Sequence, residues 1–387
     1  MVVLKQIIKM DILFVSFENL NSIGVTQKLG TQLKYMQEQI LGKASGIIIN
    51  NVSCEGELLK GWQQKKYKVK PFARIWNKRY FRAIKPFFEF ISQRKSRALC
   101  LLAALQTNKP DVVYLRYPTA DYYLWKLLKQ NQQITWVFEH NTKELPELYL
   151  NRRKWHDSLF VWWSERIFGR LCLKQAAGVV GVTHEIVNYE LTRLRTNKPN
   201  FVIGNGIDNQ YIVCQQITKK QVYEGVFLIG SYNEWHGLDL LPRLIEQSNN
   251  RFHITIVGDV PLNIKIDVGE KSITYKDSVH LNDLSAFLKT FDFGIGTLAL
   301  HRKNMKEAVS LKTRDYLKNG LPVLLNYYDT DVNGMDGVLL WNKNPNKVTD
   351  LLQFLDEEKE VNSAQVENKI GMRNKMEKLV SFIKTLD

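Results

Sequence analysis

Two acidic residues with seven residues between them, Glu307 and Asp315, stand in the segment KEAVSLKTRDYLKNGLPVLL. Ser310 is a favoured N-cap residue, so the segment predicts a helix that begins near Leu311 and ends at the following glycine and proline. A helix N-terminus presents free N–H groups and a partial positive charge, which suit a diphosphate. Carboxylates on either side of that point suit sugar hydroxyls, so the segment suits a nucleotide-sugar. By pattern alone, an ordinary helix with solvated acids is an equal alternative.

The residues just before this segment predict a strand at 293–298 and a loop at 299–306. The loop leaves the C-terminal end of the strand, and open α/β sheets bind their ligands at that end. Arg302 and Lys303 lie on the loop, where their charges would neutralise a phosphate. A solvated basic loop is the alternative interpretation.

Together these segments resemble the donor site of the retaining glycosyltransferases of family 4, which have the GT-B fold. The family has two glutamates at this spacing on such a loop and helix. The resemblance implies that Glu307 contacts donor-sugar hydroxyls and that Asp315, one methylene shorter than the family's glutamate, holds the ribose hydroxyls. It also implies that N–H groups near Ser310 and Leu311 receive the diphosphate. Lys312 matches a basic residue that is frequent in the family.

The strand predicted at 225–230 ends at Gly230, which we include in the donor site. The family commonly has an arginine just after this strand and a lysine before the glycine of the next helix, and both bind diphosphate. Here Ser231 and His236 stand at those places. The tripeptide Trp-His-Gly resembles some family members, which implies that His236 donates a hydrogen bond to phosphate. The missing charge would then come from Arg302, Lys303 or Lys312.

In the first half of the chain, a strand predicted at 11–17 leads through a turn into a helix at 27–41, and Gly24 lies in the turn. The family has a glycine-rich loop here that faces the donor phosphates and the acceptor, although an ordinary turn is equally compatible with one glycine. The strand predicted at 135–139 places His140 at its C-terminal end. Family members often have a histidine there, near the transferred sugar, so we assign His140 a catalytic role; a structural role is the alternative. The adjacent Glu139 either shares that role or caps the loop.

Strands and helices alternate in both halves, which predicts an α/β fold with two doubly wound parallel sheets. The resemblance implies the GT-B arrangement, in which two Rossmann-like domains face a central cleft. We expect an acceptor-side domain at residues 1–209, a linker at 210–222 and a donor-binding domain at 223–366. A last helix at about 367–387 is expected to pack back on the first domain.

The chain is strongly basic, with 54 Lys and Arg against 39 Asp and Glu, a net charge of +15. Basic residues and aromatics are interleaved at 65–97 and 152–170, a combination that favours an anionic membrane surface. Solvated faces are the main alternative, and nucleic acid is the weakest.

The segments outside these clusters indicate a cytosolic protein. The four cysteines are far apart and form no Cys-x-x-Cys pair, which favours reduced, mostly buried thiols over zinc ligands or disulfides. No apolar run approaches the roughly 20 residues of a membrane span. The short basic lead before the first strand does not read as a signal peptide.

The sequence therefore predicts a metal-independent enzyme, without cofactor, that transfers a sugar from a nucleoside-diphosphate sugar to a lipid-linked or saccharide acceptor, with retention. We expect it in the cytoplasm, peripheral on the inner face of the membrane, in cell-surface polysaccharide or glycolipid biosynthesis. A catalytically silent GT-B scaffold of a polysaccharide assembly is the first alternative, supported by the departures at Ser231, His236 and Asp315. A nucleic-acid-binding protein ranks last, because it gives no reason for the two carboxylates.

Overall fold

Two compact units make up the chain in the computed structural model, which describes residues 9–18, 23–51, 61–67, 85–151, 158–265, 272–342 and 344–386. The first unit comprises Met1–Ile203 and Met376–Asp387, and the second comprises Gly204–Lys375. The chain therefore passes from one unit to the other before the linker expected at 210–222, and the residues of that linker group with the second unit.

A seven-stranded parallel sheet forms the core of the first unit, in the order β3-β2-β1-β4-β5-β6-β7. Strands buried on both faces read as continuous apolar runs, and every residue of the first and fourth strands is buried. The strands are β1 Ile12–Ser16, β2 Ala44–Asn50, β3 Trp62–Lys66, β4 Val112–Arg116, β5 Thr135–His140, β6 Gly178–Gly181 and β7 Asn200–Val202.

Within the described ranges of this unit, the helices are α1 Ile23–Glu38, α2 Lys85–Asn108, α3 Tyr122–Gln130, α4 Glu144–Asn151, α5 Ser158–Gln175 and α6 His184–Leu194. The third helix begins at Asp121, whose carboxylate accepts hydrogen bonds from the N–H groups of Tyr123 and Leu124. Near the end of the chain, Phe382 stacks on Phe201 with ring centroids 5.3 Å apart, so the C-terminal residues of this unit pack beside β7.

A six-stranded parallel sheet forms the core of the second unit, in the order β10-β9-β8-β11-β12-β13. The doubly wound parallel sheets expected from the sequence are thus confirmed in both units. The strands are β8 Tyr223–Ser231, β9 Phe252–Asp259, β10 Ile273–Lys276, β11 Phe293–Ile295, β12 Val323–Leu325 and β13 Val338–Leu340. The helices are α7 Leu241–Gln247, α8 Leu281–Leu288, α9 Leu311–Lys318, α10 Pro345–Asp356 and α11 Ser363–Ile370, and α12 Met372–Ile383 follows at the boundary of the units.

Two local expectations were wrong. Gly24 does not lie in a turn, because α1 begins at Ile23 and includes it. The last helix is two helices, because Gly371 leaves the helical conformation with ψ 127° between α11 and α12. A side chain at Gly371 would come within 2.4 Å of the Glu367 carbonyl oxygen, so this close turn requires glycine.

Two further features of the chain are the burial of its cysteines and the hydropathy of its helices. Cys172 is buried, Cys100 is half-buried and Cys214 is exposed, so of these three free cysteines only one matches the expected burial. No helix within the described ranges has both the length and the apolar character that crossing a membrane requires.

Candidate functional site

A tyrosine fixes helix α9 against strands β8 and β11. The ring of Tyr316 lies so close to Gly294 that a Cβ atom there would come within 2.3 Å of it. The Tyr316 hydroxyl accepts a hydrogen bond from the Leu228 N–H at 2.7 Å, just where the pairing of β8 with β9 becomes irregular. The helix predicted from Ser310 is therefore present, and its position against the sheet is set by this contact.

The opposite side of α9 is held by a buried arginine. Arg314 donates from Nε to the Asn205 carbonyl oxygen at 2.9 Å and pairs with both Asp329 and Asp331. Lys375 binds the other oxygen of Asp331 at 2.8 Å, which completes the charge balance. Because breaking a buried network leaves uncompensated charge, this arrangement fixes α9 rigidly.

The N-terminus of α9 is open. Ser310 has the extended conformation of an N-cap residue, but its side chain accepts no N–H of the first turn. The amide of Arg314 makes the first helical bond to the Ser310 carbonyl. The N–H groups that precede it lack a side-chain cap in the described structure, so the helix end retains its capacity to bind an anion.

Lys312 provides a buried charge beside that helix end. Its Nζ is buried without a hydrogen-bond partner and lies 4.8 Å from the centroid of the Phe227 ring. Burial lowers the pKa of Lys312 to about 7. A buried ammonium without an acceptor is costly, so this group is suited to receive an anionic ligand.

The other two basic candidates are already engaged. Arg302 binds both carboxylate oxygens of Asp239, at 2.8 and 2.7 Å, and donates to the Glu234 carbonyl oxygen. Lys303 Nζ lies 5.3 Å from the centroid of the Trp235 ring. Of the three cations proposed to replace the family's missing charge, Lys312 therefore has the most suitable environment.

His236 follows β8 and is buried in the same region. Its Nδ1 accepts a hydrogen bond from the Asn233 N–H at 3.2 Å, which places the proton of the neutral ring on Nε2. Burial, and then the charge of Lys312, lowers the pKa of His236 to about 3. His236 is thus a neutral donor at physiological pH rather than a substitute for a cationic lysine.

Gly230 and Gly237 differ in whether their surroundings leave room for a side chain. Gly237 has φ 74°, and a side chain there would come within 2.9 Å of Ala299, so glycine lets the two loops meet. Gly230 lies at the exposed end of β8, where an added Cβ would meet nothing within 4 Å. A ligand can approach the backbone at Gly230, although packing does not require glycine there.

The two acidic residues differ in how the second unit holds them. Glu307 is half-buried and pairs as a parallel bridge with Tyr328, whose N–H donates to the Lys306 carbonyl oxygen at 3.0 Å. Asp315 lies on the second turn of α9, and burial raises its pKa to about 6. No hydrogen bond to the Asp315 carboxylate occurs within the described part of the chain. Neither residue extends freely into solvent.

In the first unit, His140 belongs to a closed cluster, which we call the His140 cluster: His140, Glu144, Glu165, Glu190 and Arg193. His140 Nδ1 lies 2.9 Å from Glu144 Oε1, and the ring stacks on Tyr117. Arg193 pairs with Glu165 at 2.6 Å and with Glu190 at 2.9 Å. The prediction placed His140 correctly at the end of β5, but the ring is buried, and its Nε2 has no hydrogen-bond partner.

Three members of this cluster have the chemistry of metal ligands. His140, Glu144 and Glu190 offer atoms within 4.8 Å of one another. Arg193, however, already donates to both oxygens of Glu190, at 3.2 and 2.9 Å. Burial lowers the pKa of His140 and raises the pKa of Glu144 to about 8, so a neutral His–Glu pair is consistent with the geometry. Arg193 and bound protons therefore balance the cluster, and metal independence stays a prediction.

Glu139 serves the packing of α1. Its carboxylate accepts from Lys28 Nζ at 2.6 Å and from the Tyr114 hydroxyl at 2.7 Å. Burial raises the pKa of Glu139, but the charges of Lys28 and Arg116 and the hydrogen bonds from Lys28 and Tyr114 together outweigh this and leave the pKa at about 2. Gly24 lies one turn before Lys28 on the same helix. The alternative that Glu139 has a structural role is therefore the better description.

Sequence reasoning missed Arg193, Glu144 and Arg314. Glu144 stands four residues after His140, a spacing that could have indicated their contact across the start of α4. Arg314 lies inside the acidic motif itself, but its carboxylate partners follow 15 and 17 residues later. Only the folded chain brings these groups together.

Comparisons with known proteins agree with this description. Residues 56–211 match the family model described as Glycosyltransferase Family 4. Among curated proteins, none matches the chain in sequence.

Solved structures resemble the chain over almost its whole length. The lipopolysaccharide outer core galactosyltransferase WaaB superposes with a TM-score of 0.63 at 10% identity, covering 97% of this chain and 99% of that one. TarM gives 0.61 at 12% identity, with the same coverage of 97% and 99%. HepE from Anabaena, solved with UDP-glucose, gives 0.58 at 10% identity and covers 97% of this chain and 100% of its own. At such identities the likeness shows the fold, and with the family match it confirms the predicted resemblance to GT-B glycosyltransferases of family 4.

Proposed function

We propose, from the family 4 match and the GT-B fold, that this chain is a retaining glycosyltransferase that uses a nucleoside-diphosphate sugar. One observation carries the proposal: the uncapped N-terminus of α9 lies beside the partnerless ammonium of Lys312. Both features favour an anion, and together they suit the two phosphates of a diphosphate better than a single charge does. HepE binds UDP-glucose on the same fold, which supports uridine as the first base to test.

Each site residue has a role in this proposal. The N–H groups of Leu311 and Lys312 and the Lys312 ammonium hold the diphosphate, and His236 donates from Nε2. Asp315 accepts from the ribose hydroxyls, and Glu307 holds the hydroxyls of the transferred sugar. Gly230 permits close approach at the end of β8, whereas Arg302 and Lys303 would have to leave Asp239 and Trp235 to participate.

Catalysis would rest on positioning and electrostatics. The leaving diphosphate gains negative charge as the glycosidic bond breaks, and the helix N-terminus and Lys312 stabilise that charge. His140 and Gly24 belong to the acceptor-side unit in this proposal. Because the closed cluster around His140 restricts its ring, we assign His140 an orienting role near the acceptor rather than proton transfer.

The acceptor and location are also proposals. We propose a lipid-linked or saccharide acceptor in cell-surface polysaccharide or glycolipid biosynthesis, and a peripheral place on the cytoplasmic face of the membrane. Support comes from the exposed apolar residues Leu159, Trp163 and Ile167, which follow one another at four-residue intervals on α5, next to the exposed Arg166. The basic residues at 68–84 and 152–157, which belong to the clusters predicted to bind a membrane surface, lie outside the described residues.

A thermal-shift screen over UDP, GDP, ADP and CDP tests the donor proposal, because a ligand that binds only the folded state raises the apparent stability. We expect one base to give a selective shift that Lys312→Met removes. The control is Lys289→Met, an exposed lysine at the C-terminal end of α8, which should keep the shift. The silent-scaffold alternative predicts no shift with any diphosphate, and a nucleic-acid binder predicts steeply salt-dependent binding to duplexes instead.

A further inference from the structure

A groove on the first unit suits a hydrocarbon chain. It has a volume of about 250 Å³ and lies between α2, α5 and the start of α3. Its walls are almost entirely aromatic and aliphatic, and Phe87 of α2 meets Phe160 of α5 with ring centroids 5.4 Å apart. The volume is below the range of roughly 300–1,000 Å³ for sites that enclose a whole drug-sized ligand, so the groove fits part of a larger molecule.

The groove opens onto an exposed apolar surface. Trp163 and Ile167 line it and are each 55% exposed, and Leu159, one turn before them on α5, is 53% exposed outside the groove. Soluble proteins rarely leave such a continuous apolar strip uncovered without an interaction partner. The groove and the strip therefore form one continuous surface.

Positive charges surround this surface. Lys126 on α3 and Arg166 on α5 are exposed, and the Arg166 guanidinium lies 5.4 Å from the centroid of the Trp162 ring. Lys85 in the first turn of α2 is half-buried and lies 3.7 Å from Glu89. These charges complement the anionic head groups of lipids rather than a second copy of this basic chain.

A buried arginine stands at the base of the groove. Arg94 donates to the carbonyl and hydroxyl oxygens of Thr119 and lies 3.8 Å from Asp121, but its Nε is buried without a partner. Thr119 and Asp121 thus hold this guanidinium in the wall of the groove, and the head group is left to the cations at the rim.

We propose that this groove binds the hydrocarbon chain of an anionic lipid acceptor. The inference rests on the proposed glycosyltransferase function and chooses the lipid-linked acceptor from the two classes left open. The rim cations hold the head group at the surface while the chain lies between α2 and α5. No chemical step occurs in the groove, which acts by positioning the acceptor.

A series of alkyl phosphates, titrated below their micelle concentrations by calorimetry, tests the groove. We expect ethyl phosphate not to bind, and affinity to rise about fourfold for each added methylene. The rise should end once the chain fills the groove, whereas partition into a membrane-like aggregate continues with length. Saturating UDP in a parallel series excludes binding of the phosphate at Lys312.

The double variant Trp163→Ala/Ile167→Ser removes two exposed lining residues and should weaken decyl phosphate about tenfold. The control variant Leu99→Ser removes an equally exposed apolar residue that lies outside both the lining and the strip, and it should keep the affinity. Equal affinity for ethyl and decyl phosphate, or unchanged binding by the double variant, would overturn the proposal. A concentration-dependent dimer that the double variant abolishes would instead assign the surface to a second copy.

A UDP titration of the same samples separates this inference from the function on which it rests. If the protein binds UDP but not the hydrocarbon chain of the alkyl phosphates, only the proposal for the groove is contradicted. If the protein binds the hydrocarbon chain but no nucleoside diphosphate, it would be a lipid-binding protein, and the proposed donor site would be contradicted.

Discussion

The charged groups of the two units are arranged in opposite ways. In the first unit, Arg193 of the His140 cluster binds two carboxylates, and Lys28 binds Glu139 and Asn141. In the second unit, the ammonium of Lys312 has no hydrogen-bond partner and the first turn of α9 has no side-chain cap among the residues that the structure describes. Burial of a charge alone therefore does not identify a binding site. A charged group whose hydrogen bonds are all made within the protein stabilises the fold, whereas one without partners is available to a ligand.

Arg314 sharpens this contrast within a single helix. It lies two residues after Lys312, yet its guanidinium is saturated by Asp329, Asp331 and the Asn205 carbonyl. Arg314 therefore anchors α9, whereas Lys312 is assigned to the diphosphate only in the proposed function. Variants at each kind of residue distinguish the two roles, and loss of a cation that has carboxylate partners should have the largest effect.

Removing the central cation of the His140 cluster should have the largest effect. Arg193→Met leaves Glu165 and Glu190 buried without their partner, so we expect the free energy of unfolding to fall by about 3–5 kcal/mol in urea denaturation. The control Arg166→Met, an exposed arginine on α5, should change it by less than about 0.5 kcal/mol. Wild-type stability in Arg193→Met would show that the cluster is not a saturated network.

Substitution of Lys312, the cation without a hydrogen-bond partner in the described structure, should affect ligand binding rather than stability. Lys312→Met replaces a buried ammonium with an apolar side chain of similar length, so stability should stay or rise while UDP affinity falls about 30-fold, equivalent to about 2 kcal/mol for a charged hydrogen bond. Calorimetry with UDP and thermal unfolding without it measure the two quantities. A destabilised variant with normal UDP affinity would place Lys312 among the structural charges.

The pH dependence of UDP affinity should follow Lys312 and Asp315. The diphosphate requires the charged form of Lys312, which is lost as pH rises through about 7, and the ribose requires ionised Asp315, which is lost as pH falls through about 6. Affinity should therefore be highest between these values and fall on both sides.

Two variants show which residue causes the fall in UDP affinity on each side of this pH range. Lys312→Met should remove the alkaline limb, and Asp315→Asn should remove the acid limb and weaken UDP about fivefold, since a neutral amide accepts a weaker hydrogen bond than a carboxylate. A flat profile for the wild-type protein between pH 5 and 8 would contradict both assignments.

Removal of metal ions should have the smallest effect. Arg193 balances the His140 cluster, and Lys312 with the helix amides supplies positive charge to the diphosphate. We expect dialysis against EDTA to leave UDP affinity and thermal stability unchanged. A loss that Mg²⁺ or Mn²⁺ restores would show that one of these sites takes a cation.

Local signals predicted the donor helix well, because Ser310, Gly320 and Pro322 determine its ends within a few residues. Partners distant in sequence could not be predicted. Arg302 was expected to neutralise a donor phosphate, but its guanidinium binds the carboxylate of Asp239, 63 residues earlier. Gly24 was placed in a turn because helical spacing was recognised only from residue 27, yet it lies in α1, which Lys28 fastens to Glu139, 111 residues later.

The N–H groups at the start of α9 are proposed to bind the diphosphate, and their amide chemical shifts report such binding residue by residue. In protein labelled with ¹⁵N-lysine and ¹⁵N-leucine, UDP should shift the amide signals of Leu311 and Lys312 strongly. The amide of Leu124, also in the first turn of a helix but hydrogen-bonded to Asp121 at 2.9 Å, should not move. Unchanged signals from Leu311 and Lys312 at saturating UDP would contradict the central claim.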